Sequence, residues 1–283
     1  MTLCIAAACQ ERGKPRIVIA TDWRAGTETA AADIQDKLYW IDNNIAVLIA
    51  GTVSRAIELK DTYKQFLLRR EKQENDKPEP EREPITSANL IDVFKAPLTV
   101  YKNKLINEYL GARFGMTYHA FLRCVAAKEI PESIAEETFN TIKRIYPDCE
   151  LIIVLFLDKG SYILKVCDDG SLESCESFAA IGSGADVAES VLYQRAHEND
   201  DPLSMSIYHV YEAMLLGSIA PGVGEEPTID VLYPAGEKSK EVYGAFLNDK
   251  GERFMSRQFK KRGPKKFTNF PALPAGCLER DFG

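Results

Sequence analysis

Thr2 stands directly ahead of the apolar run LCIAAAC near the start of the chain. A threonine hydroxyl is a poor nucleophile at neutral pH and attacks a carbonyl only with a base beside it. Histidine, the commonest such base, is scarce: the 283 residues hold three, His119, His197 and His209. None is paired at helical or turn spacing with another ligand, so the sequence predicts neither a Ser-His-Asp relay nor a metal site. His209, on a predicted helix, reads as structural. The best-placed base is the α-amine of the chain itself, whose ordinary pKa of about 7.7–8.0 leaves a useful neutral fraction. That amine belongs to Thr2 only once Met1 is removed. Chain ends usually fray, so a buried strand beginning at residue 2 asks for a reason, and holding a nucleophile in place supplies one. Hydroxyl and amine together could serve as nucleophile and base, but many proteins begin Met-Thr, and the pair by itself establishes no chemistry.

The elements that would position Thr2 follow from hydrophobic pattern. Short apolar segments at 2–9, 16–21, 37–41 and 44–50 read as strands forming two hairpins, with a small-residue loop at 25–32. Their near-continuous apolarity predicts sheets covered on both faces. Residues 54–70 read as an amphipathic helix, with Ile57, Leu59, Tyr63, Phe66 and Leu67 on one face. The stretch RREKQENDKPEPEREP that follows is charged and proline-rich, and it reads as a solvated, mobile loop. Helices are expected over 87–110, with Pro97 kinking or dividing the first, and over 131–145. The segment LIIVLFLDKGSYILKVCDDGSL reads as an antiparallel meander turning at 158–160 and 168–170. Helices at 185–195 and 202–216 come next, the second with Asp201 as its N-cap and Pro202 at its first position, before a strand at 228–233. The order strands, helices, strands, helices, strands predicts an α+β fold, a four-layer αββα sandwich of two antiparallel sheets. One domain is expected over 2–250, with a charged loop at 69–85 and a helical insertion at about 87–148. A basic C-terminal tail would occupy 251–283.

Three blocks, IVIATDWRAG, DKLYWIDNNIAVLIAGTVSRAIEL and AAIGSGADVAESVL, resemble in order and spacing those of the beta-type proteasome subunits and their bacterial relatives, members of the N-terminal nucleophile (Ntn) hydrolase superfamily. The chain's style is similar to that of the bacterial stand-alone proteasome-like proteins. The resemblance implies a threonine protease with Thr2 as nucleophile. It places Lys37 beside the hydroxyl as a cation favouring ionisation of Oγ, Asp22 as the partner holding Lys37, and Gly51 N–H as the donor to the oxyanion. Ser183 matches the family's hydroxyl near the nucleophile's amine. Ala25, Gly26, Ile49 and Val53 would line the substrate cleft. The sequence departs from the family just before the last core strand, where an aspartate and a Ser-Gly pair are usual. Here SIAPGVGEEPTIDVLY offers Glu225, Glu226 or Ser218 as substitutes.

Composition narrows the partners. Net charge is −7, against nucleic acid as the main partner, and the longest wholly apolar run, residues 151–157, is too short to span a bilayer. Seven scattered cysteines without a C-x-x-C pair fit reduced thiols in the cytoplasm. No cofactor or metal is expected, and no P-loop pattern occurs, so any ATPase unfoldase would be a separate chain. The expected substrate is a polypeptide or peptide, and the expected assembly is a homo-oligomeric ring. A catalytically silent ring subunit or scaffold and a small-molecule amidase are the alternatives. In the tail, basic RFMSRQFKKRGPKK precedes FTNFPALPAG, which reads either as disordered or as docking on a neighbour through Phe267, Phe270 and Leu273.

Overall fold

The computed structural model of the chain describes residues 2–22, 25–27, 30–32, 37–42, 44–157, 160–224, 227–235, 243–261 and 270–280. The first hairpin pairs β1 (Leu3–Glu11) with β2 (Lys14–Asp22) through a two-residue turn in which Arg12 and Gly13 both have positive φ. It forms the middle of a six-stranded sheet ordered β10-β1-β2-β11-β12-β13, with β10 at Phe178–Gly182, β11 at Pro227–Tyr233, β12 at Tyr243–Leu247 and β13 at Leu278–Arg280. A second sheet is a simple meander of β5 (Leu38–Asp42), β6 (Ile45–Gly51), β7 (Cys149–Leu157), β8 (Gly160–Val166) and β9 (Leu172–Cys175). Both sheets are antiparallel throughout. Two three-residue strands, β3 (Ala25–Thr27) and β4 (Ala30–Ala32), pair with each other.

Alternation along the strands decides what each sheet meets. In β1, Cys4, Ala6 and Ala8 face the second sheet, where they meet Ala46, Leu48, Ile152 and Val154. Leu3, Ile5, Ala7 and Cys9 face the other way, onto α5 (Ala185–Arg195) and α6 (Leu203–Gly217). On the second sheet, Val47, Ile49, Leu151 and Ile153 pack against α1 (Val53–Asn75) and α2 (Leu90–Phe114). Two faces of apolar residues per strand are the reason the strand sequences are almost unbroken in their apolarity. With α3 (Tyr118–Ala126), α4 (Glu132–Lys143) and α7 (Asp249–Lys261), the described residues give an α+β structure of two antiparallel sheets and seven helices, an arrangement compatible with a sandwich. None of the described helices is long and apolar enough to cross a membrane.

Several expectations are corrected. The charged stretch after residue 69 is not a free loop: α1 runs to Asn75, and a 3-10 turn at Glu79–Glu81 follows. Glu74 binds Lys77 Nζ at 2.8 Å and the Glu83 N–H at 2.7 Å, and Arg70 donates to the Glu83 carbonyl. Glu, Lys and Gln are good helix formers, so the segment needs no apolar face to extend the helix. α2 continues across Pro97, held by Phe94, Leu98 and Tyr101 against α1, and α3 occupies the span between the two helices expected in that region. Asp201 is not the cap of α6, a position taken by Pro202. The turn at 158–160 lies partly outside the described residues.

Among the described residues read as a C-terminal tail, one stretch joins the first sheet and others join the core. β13 pairs with β12, Met255 of α7 is fully buried, and Phe270 and Leu273 pack on the chain's own α6-side core. Phe267 lies outside the described residues. Because Met255 is buried in that core, Met255→Ala is expected to lower unfolding free energy by about 2–5 kcal/mol, measured by denaturant titration. Truncation after Asn248 is expected to lower it further, whereas a solvated tail would leave both values unchanged.

Candidate active site

The register of the first hairpin sets Thr2 beside Asp22. Cys4 pairs with Thr21, so the residues just beyond that pair meet at the end of the hairpin. Thr2 Oγ1 donates to Asp22 Oδ1 at 2.5 Å, and the Leu3 N–H donates to the same oxygen at 2.9 Å. Lys37, immediately ahead of β5 in the other sheet, places Nζ 2.5 Å from Asp22 Oδ1. The Gly224 N–H, just ahead of β11, takes Oδ2 at 3.0 Å. The Asp22 side chain is fully buried and that of Lys37 is 6% exposed. Thr2 Oγ1 and Lys37 Nζ therefore share one buried acceptor and lie within two hydrogen-bond lengths of each other.

Gly51 ends β6 with φ +85°. An added Cβ there would press on the Cys149 backbone, so only glycine fits. The Ile49 N–H donates to the Lys37 carbonyl at 3.1 Å. Strand alternation aims the Gly51 N–H, two residues on, toward the same edge as Lys37. Gly182, with φ +92°, lets β10 approach the Thr2 carbonyl so closely that a Cβ would collide with it. Its N–H donates to Glu150 Oε2 at 2.8 Å. Ser183 Oγ reaches the Thr2 carbonyl at 3.3 Å and the Pro221 carbonyl at 3.4 Å. That hydroxyl thus holds the backbone of Thr2 through its carbonyl.

Cys4 is the other potential nucleophile nearby. Burial pushes its thiol up to about 12 against the opposing pull of Lys37, and Sγ is turned to the Ile49 carbonyl at 3.5 Å. It is therefore a core residue rather than a reactive one. Ser218, a candidate substitute for the missing support motif, donates to the Leu215 carbonyl at 2.8 Å and so caps the end of α6. Glu225 and Glu226 lie outside the described residues. The stretch ahead of β11 reaches the cluster through backbone groups: the Gly224 N–H donates to Asp22, and the Pro221 carbonyl accepts from Ser183.

Of the residues expected to line a substrate cleft, Ile49 is 3% exposed and packed beneath α1, so it offers no wall, while Val53 is 37% exposed at the first turn of α1. Ala25 and Gly26 belong to β3, and their side chains lie outside the described residues. An open cleft of about 1030 Å³ borders Asp22, Lys37 and Trp40 on one side and Asn248, Lys250 and Arg253 on the other. Its described lining does not include Thr2, Ser183 or Gly51, so it flanks the charge pair rather than the hydroxyl.

Sequence reasoning missed Gly224 and Glu150 at this site, and it missed the pairing of two of the histidines elsewhere in the chain. His197 and His209, expected to lack partners, meet at 3.1 Å beside Asp201. The His197-x-x-x-Asp201 spacing was the available signal.

Burial raises the Glu150 carboxyl above its ordinary 4.5, and the Gly182 N–H and Lys165 pull it back without cancelling the rise. An acid with a raised folded-state pKa holds its proton longer when folded, so its contribution to stability falls as pH rises from 4.5 through that higher value. Glu150→Gln keeps an acceptor for Gly182. The stability difference between wild type and this variant is expected to move against the wild type as pH rises from 4.5 toward neutrality, followed by thermal melts at fixed salt; a flat difference would contradict it. The chain matches no protein-family model and no curated protein, so its functional reading rests on the geometry of the Asp22 cluster.

Proposed function

We propose that the chain is a threonine-type Ntn hydrolase that cleaves peptide amide bonds, a proteasome-like protease subunit on a four-layer αββα sandwich. The observation that carries this reading is the convergence of Thr2 Oγ1 and Lys37 Nζ on one oxygen of buried Asp22, each at 2.5 Å. With Met1 removed, the Thr2 amine takes the hydroxyl proton as Oγ attacks the substrate carbonyl. The Lys37 ammonium favours the developing alkoxide, and Asp22 fixes that ammonium in place. The Gly51 N–H stabilises the oxyanion. The amine then passes its proton to the leaving nitrogen, giving a threonyl ester. Water hydrolyses the ester, losing its proton to the amine, and the hydroxyl is restored.

The α5–α6 layer exposes Val187, Tyr193, Leu215 and Ile219, which favours a homo-oligomeric ring packed through its helices. Seven free cysteines fit a cytoplasmic setting. A separate ATPase would feed folded substrates. One observation favours the silent-scaffold reading: Thr2 is 6% exposed and its hydroxyl hydrogen is turned toward Asp22. A small-molecule amidase would use the same groups, and comparing peptide with small-amide turnover separates the two enzymes.

Intact-mass measurement is expected to show loss of Met1, and a threonine-directed electrophile is expected to label Thr2 in the wild type. Thr2→Ala should abolish labelling and turnover with assembly intact, and Thr2→Ser should keep part of the activity. Failure to label Thr2, or full activity in Thr2→Ala, would leave the scaffold reading in its place. Lys37→Ala is expected to cut turnover roughly 100-fold or more and to cost about 3–5 kcal/mol of stability, because it strands the Asp22 carboxylate. Lys37→Arg, with a bulkier planar head, should not restore turnover. Kinetics and melts on the two variants, with the Asp22→Asn, Lys37→Ala pair to test non-additivity, check this.

A further inference from the structure

A second cluster of chemistry-bearing side chains lies toward the opposite end of β1 from Thr2. His197 and Asp201 sit in the connection between α5 and α6, and His209 lies on α6. His197 Nδ1 is 3.1 Å from His209 Nδ1 and 3.2 Å from Asp201 Oδ2, and His209 Nδ1 is 3.6 Å from that same oxygen. The imidazoles are 0% and 2% exposed and the Asp201 side chain is 14% exposed. The cluster is therefore closed toward the core and reaches solvent along the carboxylate.

Two features set it apart from an ordinary hydrogen-bonded group. The first is the tautomer of His197. Its Nε2 lies 2.9 Å from the Ala8 carbonyl oxygen, which can only accept, so Nε2 carries the proton and the neutral ring presents a lone pair at Nδ1. Nδ1 then faces Asp201 Oδ2, a second acceptor, at 3.2 Å. Both acceptors converge on His209 Nδ1, 3.1 and 3.6 Å away, so the three atoms share either a proton or a metal ion at their centre. The second feature is spacing. Ligand atoms about 2.0–2.1 Å from a tetrahedral Zn²⁺ stand about 3.3–3.4 Å apart, and the three observed separations bracket that length.

We propose that His197 Nδ1, His209 Nδ1 and Asp201 Oδ2 bind a zinc-class divalent cation, with water completing the tetrahedron from the Asp201 side. Two imidazoles and a carboxylate are a donor set suited to zinc. The Ala8 carbonyl holds the outer nitrogen of His197, in the manner that orients histidine ligands at metal sites. The ion's role is structural. Ala8 is six residues along β1 from Thr2, about 20 Å of extended chain, so the ion stands apart from the candidate nucleophile and the proposal is independent of the hydrolase reading. It ties the α5–α6 connection to α6 and, through Ala8 and the Gln10 N–H that donates to the Asp201 carbonyl, to β1.

The test uses the whole chain, stripped with a chelator, desalted, and titrated with Zn²⁺ or Co²⁺. One zinc per chain is expected by elemental analysis after desalting. The melting temperature should rise with zinc concentration, and Co²⁺ should give the visible absorption of a tetrahedral site. Asp201→Asn, which keeps an acceptor for the Glu198 N–H, is expected to weaken zinc binding at least about tenfold, as is His209→Gln. Should His209→Gln fail to fold, the wild-type cobalt spectrum and the Asp201→Asn titration decide. A stripped wild type that takes up no zinc overturns the proposal, leaving a proton-sharing cluster. Equal zinc uptake by wild type and both variants also overturns it, since the ion would then lie on other groups, such as the cysteines.

Discussion

The carboxylate of Asp22 is the constraint around which the two sheets and the chain's first residues are arranged. A fully buried carboxylate is tolerated only when donors surround it. Here four donors come from three separate segments: the Thr2 hydroxyl and Leu3 amide at the start of β1, the Lys37 ammonium ahead of β5, and the Gly224 amide ahead of β11. Lys37 belongs to the second sheet and the other donors to the first, so the charge pair couples the sheets at the edge of their shared apolar layer. Because each donor is fixed by strand register, a one-residue slip in β1 or β2 would remove several of them at once and turn apolar faces the wrong way.

That constraint explains the small residues nearby. Cys4 on β1, with Ala50 on β6, keeps the layer between the sheets thin at this end, and Ala6, Ala8 and Ala46 continue the row of small residues toward the far end. Gly182 lets β10 lie directly on the Thr2 carbonyl. Gly184 and Gly217 do the same for the entry of α5 and the exit of α6, where side chains would strike each other's backbone or Leu3. The Gly-Ser-Gly element is thus a place of close approach, and its serine adds a hydrogen bond to the same carbonyl. Local glycines and the buried charge act on one object, the backbone of Thr2 and Leu3.

What the sequence discloses about this arrangement depends on the range of each interaction. Strands β1, β2, β5 to β8 and β11 and helices α5 and α6 were legible because apolar periodicity is a local property. Thr2, Asp22, Lys37 and Gly51 were legible only as a set, from types at fixed spacing in blocks that resemble a known family. Gly224 was invisible because it contributes a backbone N–H, which every residue but proline carries. Glu150 and Gly182 meet across 32 positions, a distance no local pattern encodes. The charged extension of α1 was misread because its helix is stabilised by propensity and by Glu74 rather than by an apolar face. The described parts of segment 251–283 were misread because the pairing of β13 with β12 is a long-range contact that composition does not announce.

β1 carries the last consequence. Its N-terminal end is held by Asp22, Gly182 and Ser183, and its far part is held at Ala8 by His197 and at Gln10 by Asp201. Between these two anchorages every side chain from Leu3 to Cys9 is buried, with both faces packed and both edges paired, by β10 on one side and β2 on the other. A strand so bounded cannot slide, twist or fray without breaking polar contacts at both ends. The side chain just ahead of it, Thr2, is held by its hydrogen bond to Asp22. On the proposed hydrolase reading, fixing Oγ1 of Thr2 in this way would spare the orientational entropy that a loosely held nucleophile loses on reaching a transition state, and would link burial of the first strand to the positioning of a hydroxyl.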